Sequence, residues 1–225
     1  SALREAHWIW CEGEAVPQNF YLYCRKRLTL EEKPARATVH VTGDSRYKLF
    51  VNGQFVGRGP ARSDQRFEYY ATFDVAPLLK NGENVISAIV HQYGSSSHSY
   101  TLGRGGFLLG AELKWDDGRT KTISSDDTWR VLPAPTWKRP TPRVCIAIMW
   151  MEEYDARKEI AGWQMPGFDD GAWQKPVLLG KPPVAPWIRL VPRDIPPLLE
   201  REEFPAAIIA QGTVGDPPTK ATIRF

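Results

Sequence analysis

Hydrophobic and polar residues alternate with a period of two along most of the chain, and no long stretch has the 3.6-residue period of an amphipathic helix. In the first clear segment, Phe20, Leu22 and Cys24 fall on one face, and the other face carries Tyr21, Tyr23, Arg25 and Arg27. The segment 107–115 alternates in the same way. Each such segment is predicted to be a half-buried strand with one face toward solvent.

Turn signals separate these strands at short and regular intervals. Asn52-Gly53 lies between two apolar strands, and Asp117-Gly118 is a second turn sequence of this kind further along the chain. Asn-Gly and Asp-Gly are favoured where a two-residue turn needs positive φ. Many short strands with turns between them predict an all-β protein, an antiparallel β-sandwich of the jelly-roll type with little helix.

Composition adds a domain boundary to this fold. Among 225 residues there are nine Trp, nine Phe, eight Tyr, 19 Pro and 18 Gly. Four prolines fall within residues 133–143, which predicts an extended crossing and not a central strand. Prolines dominate again from Pro182 onward. We therefore predict a β-sandwich domain over residues 1–192, and a linker or the start of a truncated following domain over residues 193–225.

Charge and apolar runs exclude two classes of partner. The net charge of +3 is too small for a nucleic-acid footprint. The longest apolar run, Val144 to Met151, is far shorter than the roughly 20 residues that a membrane helix needs. The three cysteines match no metal or redox spacing and are predicted to be small buried hydrophobes. The compartment stays open, since secreted, periplasmic and cytoplasmic locations all fit an odd number of cysteines.

One acidic segment contains the best candidates for chemistry. Glu153 and Asp155 share a face if the segment is a strand, with Cα atoms roughly 6.6 Å apart. Two carboxylates so placed permit acid–base work on a glycosidic bond, and they permit calcium binding equally well. Arg157 continues the same face. The alternative, given even weight, is a salt-bridged structural corner.

Tryptophans flank this segment, and an indole face can stack on the C–H face of a sugar ring. Core packing is the common alternative for each of them. The predicted carbohydrate-binding residues are Trp137, Trp150, Glu153, Asp155, Arg157 and Trp163.

The run MEEYDARKEIAGWQMPGFDDGAWQKP, residues 151–176, resembles a segment of the N-terminal β-sandwich of bacterial α-L-rhamnosidases, glycoside hydrolase family 78. Upstream, YKLFVNGQFVGRGPARSD, YYATFDVAPLLKNGENVISAIVHQYG and SSDDTWRV resemble the same domain in the same order. The first two also resemble, more loosely, the galactose-binding-like jelly roll of β-galactosidases and β-glucuronidases. The resemblance covers residues from about Trp8 to about Pro192.

The resemblance implies a non-catalytic accessory domain of a glycoside hydrolase whose catalytic acid and base lie in a downstream (α/α)6 barrel. On this basis the chain alone is not an enzyme, and its expected partners are a rhamnose-containing glycan and the catalytic domain of the same parent chain. The expected function is recognition of a sugar such as rhamnose. The alternative is a structural domain that packs on the barrel and orients it without binding sugar.

The resemblance also raises the question whether this domain binds calcium. Some related rhamnosidase modules hold L-rhamnose through a calcium ion bound by an Asp-Asn pair. Asp155 is the matching position here, but Ala156 follows it where the pair would have Asn. No required cofactor is therefore predicted, and Asp155 is the metal ligand if calcium binds.

Overall fold

The structure, a computed structural model, describes residues 2–98 and 100–197, and its regular secondary structure is almost entirely β-strand. The strands in this part of the chain are β1 Trp8–Trp10, β2 Phe20–Leu30, β3 Arg36–Asp44, β4 Arg46–Val51, β5 Gln54–Gly59, β6 Glu68–Asp74, β7 Gly82–Gln92, β8 Gly106–Lys114, β9 Thr120–Ser124, β10 Arg130–Pro133, β11 Arg143–Cys145, β12 Met149–Trp150, β13 Val177–Gly180 and β14 Leu190–Pro192. Helix there is limited to the short 3₁₀ segments Ala2–Arg4, Ala76–Leu78 and Ala156–Lys158. The predicted all-β class with little helix is confirmed.

Two large sheets form the sandwich. One has the strand order β13-β1-β8-β3-β6-β14, with β9 also paired to β8, and the other has the order β10-β2-β7-β4-β5. A separate hairpin pairs β11 with β12. The pairings are antiparallel except that of β6 with β14, which is parallel. The predicted antiparallel sandwich is therefore confirmed, with one parallel pair at the edge of the first sheet.

The interior between the sheets is filled by residues that the alternating pattern assigns to one face. In β3, Ala37, Val39 and Val41 are fully buried. Leu22 and Cys24 of β2 join them in the same hydrophobic cluster from the opposite sheet. Because side chains alternate between the two faces of a strand, the period-two pattern is sufficient to place these residues inward.

The hairpin between β4 and β5 turns at Asn52 and Gly53, as predicted. Both residues have positive φ, 51° and 79°, which a two-residue turn of this kind requires. The Asn52 side chain accepts a hydrogen bond from the Val85 N–H at 2.8 Å and donates one to the Leu78 carbonyl at 2.9 Å. These bonds fix the turn to β7 and to the 3₁₀ segment Ala76–Leu78.

The outer face of β2 differs from the prediction, because it is buried as well. Tyr23 and Arg25 have no exposed surface, although the alternation predicted a solvent-facing side. Trp163 stacks on Tyr23 with ring centroids 4.3 Å apart, and Arg25 donates a hydrogen bond to the Trp163 carbonyl at 2.8 Å. The pattern within one strand could not show that a segment 138 positions later covers it.

The cysteines follow the prediction in two positions out of three. Cys11 and Cys24 are buried, and burial raises the pKa of the Cys11 thiol to about 11. Cys145 is exposed, which contradicts the prediction, because it lies on the β11–β12 hairpin outside the two large sheets. All three are free thiols.

The C-terminal part of the sandwich closes on its N-terminal strand. Trp187 stacks on Trp8 with ring centroids 3.7 Å apart and planes 8° from parallel. The Trp187 indole N–H also donates a hydrogen bond to the buried Asp44 carboxylate at 3.2 Å. Leu190 then begins β14, which pairs with β6.

A compact unit ends at Asp194, and Ile195–Phe225 is a separate unit of which only residues 195–197 are described. The boundary predicted at residue 192, and the role of the residues after it, stay predictions because most of that segment lies outside the described residues. No helix in the described part of the chain is long and apolar enough to span a bilayer.

Candidate functional site

The proline-rich crossing that follows β10 lies between the start of β2 and the acidic segment. The Ala134 N–H donates a hydrogen bond to the Tyr21 carbonyl at 2.9 Å, and the Asp155 N–H donates one to the Thr136 carbonyl at 2.8 Å. Trp137, the next residue, forms an isolated bridge with Tyr154. The crossing is thereby held on both sides, and Trp137 is placed beside Tyr21.

A groove of about 360 Å³ opens between this crossing, the start of β2 and the loop after β1. A volume of this order is typical of small-molecule sites. Three aromatic side chains, two carboxylates and one guanidinium contribute to its lining: Phe20, Tyr21, Trp137, Glu12, Glu14 and Arg139. The groove therefore combines apolar ring surface with hydrogen-bonding groups of both charges.

Three flat rings stack in a column at the groove. Trp137 lies on Tyr21 with centroids 4.3 Å apart, and Tyr21 lies on His91 with centroids 3.9 Å apart. Because two parallel rings cannot share one face at these distances, both faces of Tyr21 are covered. Burial, with a smaller contribution from Arg46, lowers the pKa of His91 to about 3. The imidazole is therefore neutral at physiological pH.

Polar contacts fix the rings of the column. The Trp137 indole N–H donates a hydrogen bond to the Glu152 carboxylate at 2.8 Å, and Tyr154 packs against Trp137 at 67° with centroids 5.0 Å apart. Burial, and secondarily the Glu152 charge, raises the pKa of Tyr21 well above its ordinary value. The Tyr21 hydroxyl therefore keeps its proton and can act as a hydrogen-bond donor.

The floor of the groove is formed by Phe20, which packs against the hydrophobic core. The Arg139 guanidinium lies over this ring, 4.9 Å from its centroid. Arg139 is also 3.9 Å from the Glu14 carboxylate. One charged side chain thus covers the aromatic floor.

Of the three predicted tryptophans, only Trp137 lines this groove. Trp150 donates a hydrogen bond from its indole to the Tyr93 carbonyl at 2.7 Å and lies under Arg143, outside the groove lining. Trp163 is 3% exposed and packs between Tyr23 and the neighbouring aromatics. The prediction that Trp163 contacts a ligand conflicts with this burial, because no face of its ring reaches solvent.

The predicted charged residues form ion pairs instead of one site. Glu153 is 2.8 Å from the Lys138 ammonium. Asp155 caps the 3₁₀ segment Ala156–Lys158 and accepts hydrogen bonds from the Arg157 guanidinium at 2.8 and 2.9 Å. These bonds lower the pKa of Asp155. The shared strand face predicted for Glu153 and Asp155 is absent, since Asp155 instead begins a helical turn.

Asp155 and its surroundings do not fit a calcium site. Calcium takes six to eight oxygen ligands, whereas both oxygens of Asp155 accept hydrogen bonds from Arg157. Within residues 2–98 and 100–197, no group of three or more His, Cys, Asp or Glu side chains could hold a metal ion. The Arg-paired carboxylate matches the salt-bridged corner that the sequence left open.

Several groove residues were missed by reasoning from the sequence. The alternation assigns Phe20 to the inner face and does not show that this first residue of β2 also borders a groove. Arg139 lies two residues after Trp137, so the sequence does indicate that Arg139 lies near this groove tryptophan. Glu12 and Glu14 lie in an irregular loop more than 120 residues earlier, and no sequence pattern connects them with Trp137.

Comparison with known proteins gives a consistent assignment. The sequence matches the family described as Alpha-L-rhamnosidase N-terminal domain over residues 32–198. The α-L-rhamnosidase of Streptomyces avermitilis is 33% identical over 160 residues, 63% of this chain and 14% of that protein. The solved rhamnosidase of family GH78 from Bacillus sp. GL1 is similar with a TM-score of 0.84 and 38% identity, over 91% of this chain and 21% of that one.

The sandwich is also similar to a more distant structure. The lectin of Pleurotus ostreatus, solved in complex with GalNAc, has a TM-score of 0.57 at 23% identity, over 82% of this chain and 44% of that one. This likeness concerns the fold alone. The chain spans 14% to 19% of the length of the curated relatives that it matches.

Proposed function

The chain belongs to the α-L-rhamnosidase N-terminal domain family, and from this premise we propose that it is a non-catalytic carbohydrate-recognition domain whose sugar site is the groove beside Trp137. The observation that carries the proposal is the shape and chemistry of that groove. A domain that only packs against a neighbour would present a flat aromatic patch. Here the aromatic residues line a concavity together with Glu12, Glu14 and Arg139, which suits a small polar ligand.

A sugar ring has two kinds of surface, and the groove has a counterpart for each. Its C–H face is apolar and packs on an aromatic ring, for which the groove offers Phe20 and Trp137. Its hydroxyls donate and accept hydrogen bonds, for which the groove offers the carboxylates of Glu12 and Glu14. A neutral sugar such as L-rhamnose therefore fits better than a purely apolar or a strongly charged ligand.

Catalysis is assigned to another part of a longer parent glycoside hydrolase. Glycoside hydrolysis needs two carboxyl groups that flank one bond. The two carboxylates that the sequence offers as a catalytic acid and base are held in separate ion pairs, Glu153 with Lys138 and Asp155 with Arg157. Release of nitrophenol from a rhamnoside by this chain, abolished by Glu153→Gln, would contradict the assignment.

Isothermal titration tests the sugar site directly. L-Rhamnose and rhamnosyl oligosaccharides are titrated into the protein with and without calcium, and binding in the millimolar range or tighter is expected in both conditions. Trp137→Ala is expected to weaken binding several-fold, whereas Trp150→Phe, which changes a tryptophan outside the groove, leaves binding unchanged. Absence of heat at millimolar ligand would contradict sugar recognition.

The β11–β12 hairpin supports an alternative function, packing against another domain of a longer parent chain. Val144, Ile146, Ile148 and Met151 are each between 48% and 68% exposed on this hairpin. Clustered exposed apolar side chains are typical of surfaces that another protein covers. The matched α-L-rhamnosidases are several times longer than this chain. The proposed partner of the hairpin is the catalytic domain of a similarly long parent chain.

The two functions are separated by changing the hairpin. Ile146→Ser with Ile148→Ser in the full-length parent is expected to lower its thermal stability if the hairpin packs on the catalytic domain. The same pair of changes in the present chain alone serves as the control, and its sugar binding and melting temperature stay as in the unmodified chain. An unchanged full-length protein would contradict the packing function.

A further inference from the structure

Phe20 differs from the other aromatic residues of the groove in what covers its ring. Both faces of Tyr21 are taken by Trp137 and His91. Phe20 packs on the core from one side, with Trp10 at a centroid distance of 5.8 Å. Its other side is covered by the guanidinium of Arg139, a long side chain, and not by another ring.

Arg139 is held over Phe20 by weak contacts. Its guanidinium lies 4.9 Å from the ring centroid and 3.9 Å from the nearest Glu14 oxygen. The side chain is 37% exposed, and cation–π contacts and ion pairs at exposed positions contribute little. The guanidinium can therefore leave the face of the Phe20 ring at little cost.

We propose that Phe20 is the platform on which the sugar stacks, and that Arg139 covers this platform in the free protein and is displaced by the sugar. This inference rests on the proposed sugar-binding function of the groove. The C–H face of a sugar and the guanidinium use the same face of one ring, so only one of them can occupy it. Arg139 is therefore a residue that sets affinity by competition, and Glu14 strengthens that competition by attracting its charge.

Competition predicts an effect opposite in sign to that of an ordinary binding residue. Arg139→Ala uncovers Phe20, and we expect the affinity for methyl α-L-rhamnopyranoside to rise about two- to tenfold, the range given by weak surface contacts. Glu14→Gln is expected to give a smaller rise. Phe20→Leu keeps an apolar side chain against the core but removes the aromatic face, and is expected to weaken binding several-fold.

The experiment is titration of the same methyl glycoside into the unmodified chain, Arg139→Ala, Phe20→Leu and the double variant. The double variant is expected to bind like Phe20→Leu, because without the platform nothing is gained by uncovering it. Raising the salt concentration should strengthen binding to the unmodified chain and leave Arg139→Ala unchanged, since salt weakens the attraction between Arg139 and Glu14. Circular dichroism confirms that each variant is folded.

The outcomes separate this inference from the proposed function. Weaker binding by Arg139→Ala would show that Arg139 contacts the sugar directly, and equal binding would show that it does not cover the platform. Either result overturns the competition while sugar binding stands. Failure of the glycoside to bind both the unmodified chain and Arg139→Ala overturns the groove as a sugar site, and the competition with it.

Discussion

Arg25 and Asp170 form an ion pair that is closed off from solvent, with side-chain exposures of 0% and 4%. The Arg25 guanidinium also donates hydrogen bonds to the carbonyls of Trp163 and Met165, both at 2.8 Å. Phe168 packs against its cationic carbon at 5.3 Å. One side chain of β2 therefore binds most of the segment that covers the outer face of that strand.

Replacing Arg25 by Met is expected to cost about 3 to 5 kcal/mol of stability, because Asp170 is left as a buried charge. For a domain of this size the melting temperature should fall by roughly 6 to 20 °C. Arg27→Ala is the matched control. Arg27 reaches the same carboxylate at 3.4 Å but is 54% exposed, so its loss should cost less than about 1 kcal/mol. Equal effects of the two changes, measured by urea unfolding, would contradict the special role of Arg25.

Stability is expected to fall as the pH rises from about 4 to about 8. Burial raises the pKa of Asp44 to about 7 and that of Glu68 to about 8, and hydrogen bonds from Tyr100 and Trp187 to Asp44 offset only part of this effect. Between the unfolded and folded pKa values the folded state binds more protons, so deprotonation favours unfolding. The contribution of the two carboxyl groups is complete below about pH 4 and is lost as the pH passes the folded values. The lowered pKa of His91 opposes this loss below about pH 6.5, so the net fall in stability is weaker there than between pH 6.5 and pH 8.

The measurement is urea unfolding between pH 4 and pH 9. Asp44→Asn with Glu68→Gln removes both carboxyl groups and should abolish the fall, leaving a rise in stability between about pH 4 and pH 6.5, because the pKa of His91 is lowered in the folded state. An exposed carboxylate, changed by Asp64→Asn, serves as the control, since its pKa is lowered by Arg66 at the surface and its loss should leave the slope above pH 5 intact. A stability that rises between pH 5 and pH 8 would contradict the raised pKa values.

Trp163→Ala is expected to destabilise the domain by about 3 to 5 kcal/mol, as large-to-small changes of buried aromatic residues do. Trp163 is buried and stacks on Tyr23. Trp137→Ala should cost less, because Trp137 is half-buried at the groove. Thermal unfolding of both variants checks the order. A larger loss for Trp137 would mean that the roles assigned to the two tryptophans are exchanged.

One thiol of three should react with a water-soluble disulfide reagent in the native protein. Cys145 is exposed, whereas Cys11 and Cys24 are buried. Burial also raises the pKa of both buried thiols and so depletes the reactive thiolate. Three equivalents should react in denaturant. Cys145→Ser is expected to remove the native reactivity altogether, and a rapid second equivalent would contradict the burial of the remaining cysteines.

The core and the tight turns could be predicted from the sequence because they depend on short-range patterns. Val39 and Val41 are placed inward by alternation within β3, and the turn at Asn52 by the φ that Asn-Gly tolerates. The family could be predicted because residues 151–176 form a fairly specific run. None of these inferences requires knowing which distant segments meet.

The groove could be predicted only in part because it is assembled from distant segments. Trp137 is recognisable as an aromatic residue near an acidic segment, but its neighbours in the groove come from the start of the chain, Glu14 from the loop after β1 and Phe20 from the first residue of β2. The spacing of Glu153 and Asp155 in the sequence predicts two carboxylates on one face. In the structure each carboxylate instead forms an ion pair with a different cation, Lys138 or Arg157. The burial of the outer face of β2 could not be predicted for the same reason, because the segment that covers it lies far along the chain.

The contacts that complete the sandwich have a consequence for its synthesis. Arg25 meets its carboxylate partner only after 145 further residues, and Asp44 meets Trp187 after 143. At about 5 to 20 residues per second, the ribosome therefore needs several seconds or more between the two halves of each contact. During that interval the outer face of β2 carries an unpaired guanidinium and uncovered aromatic rings. The nascent domain can therefore reach its final packing only after Trp187 has left the ribosome.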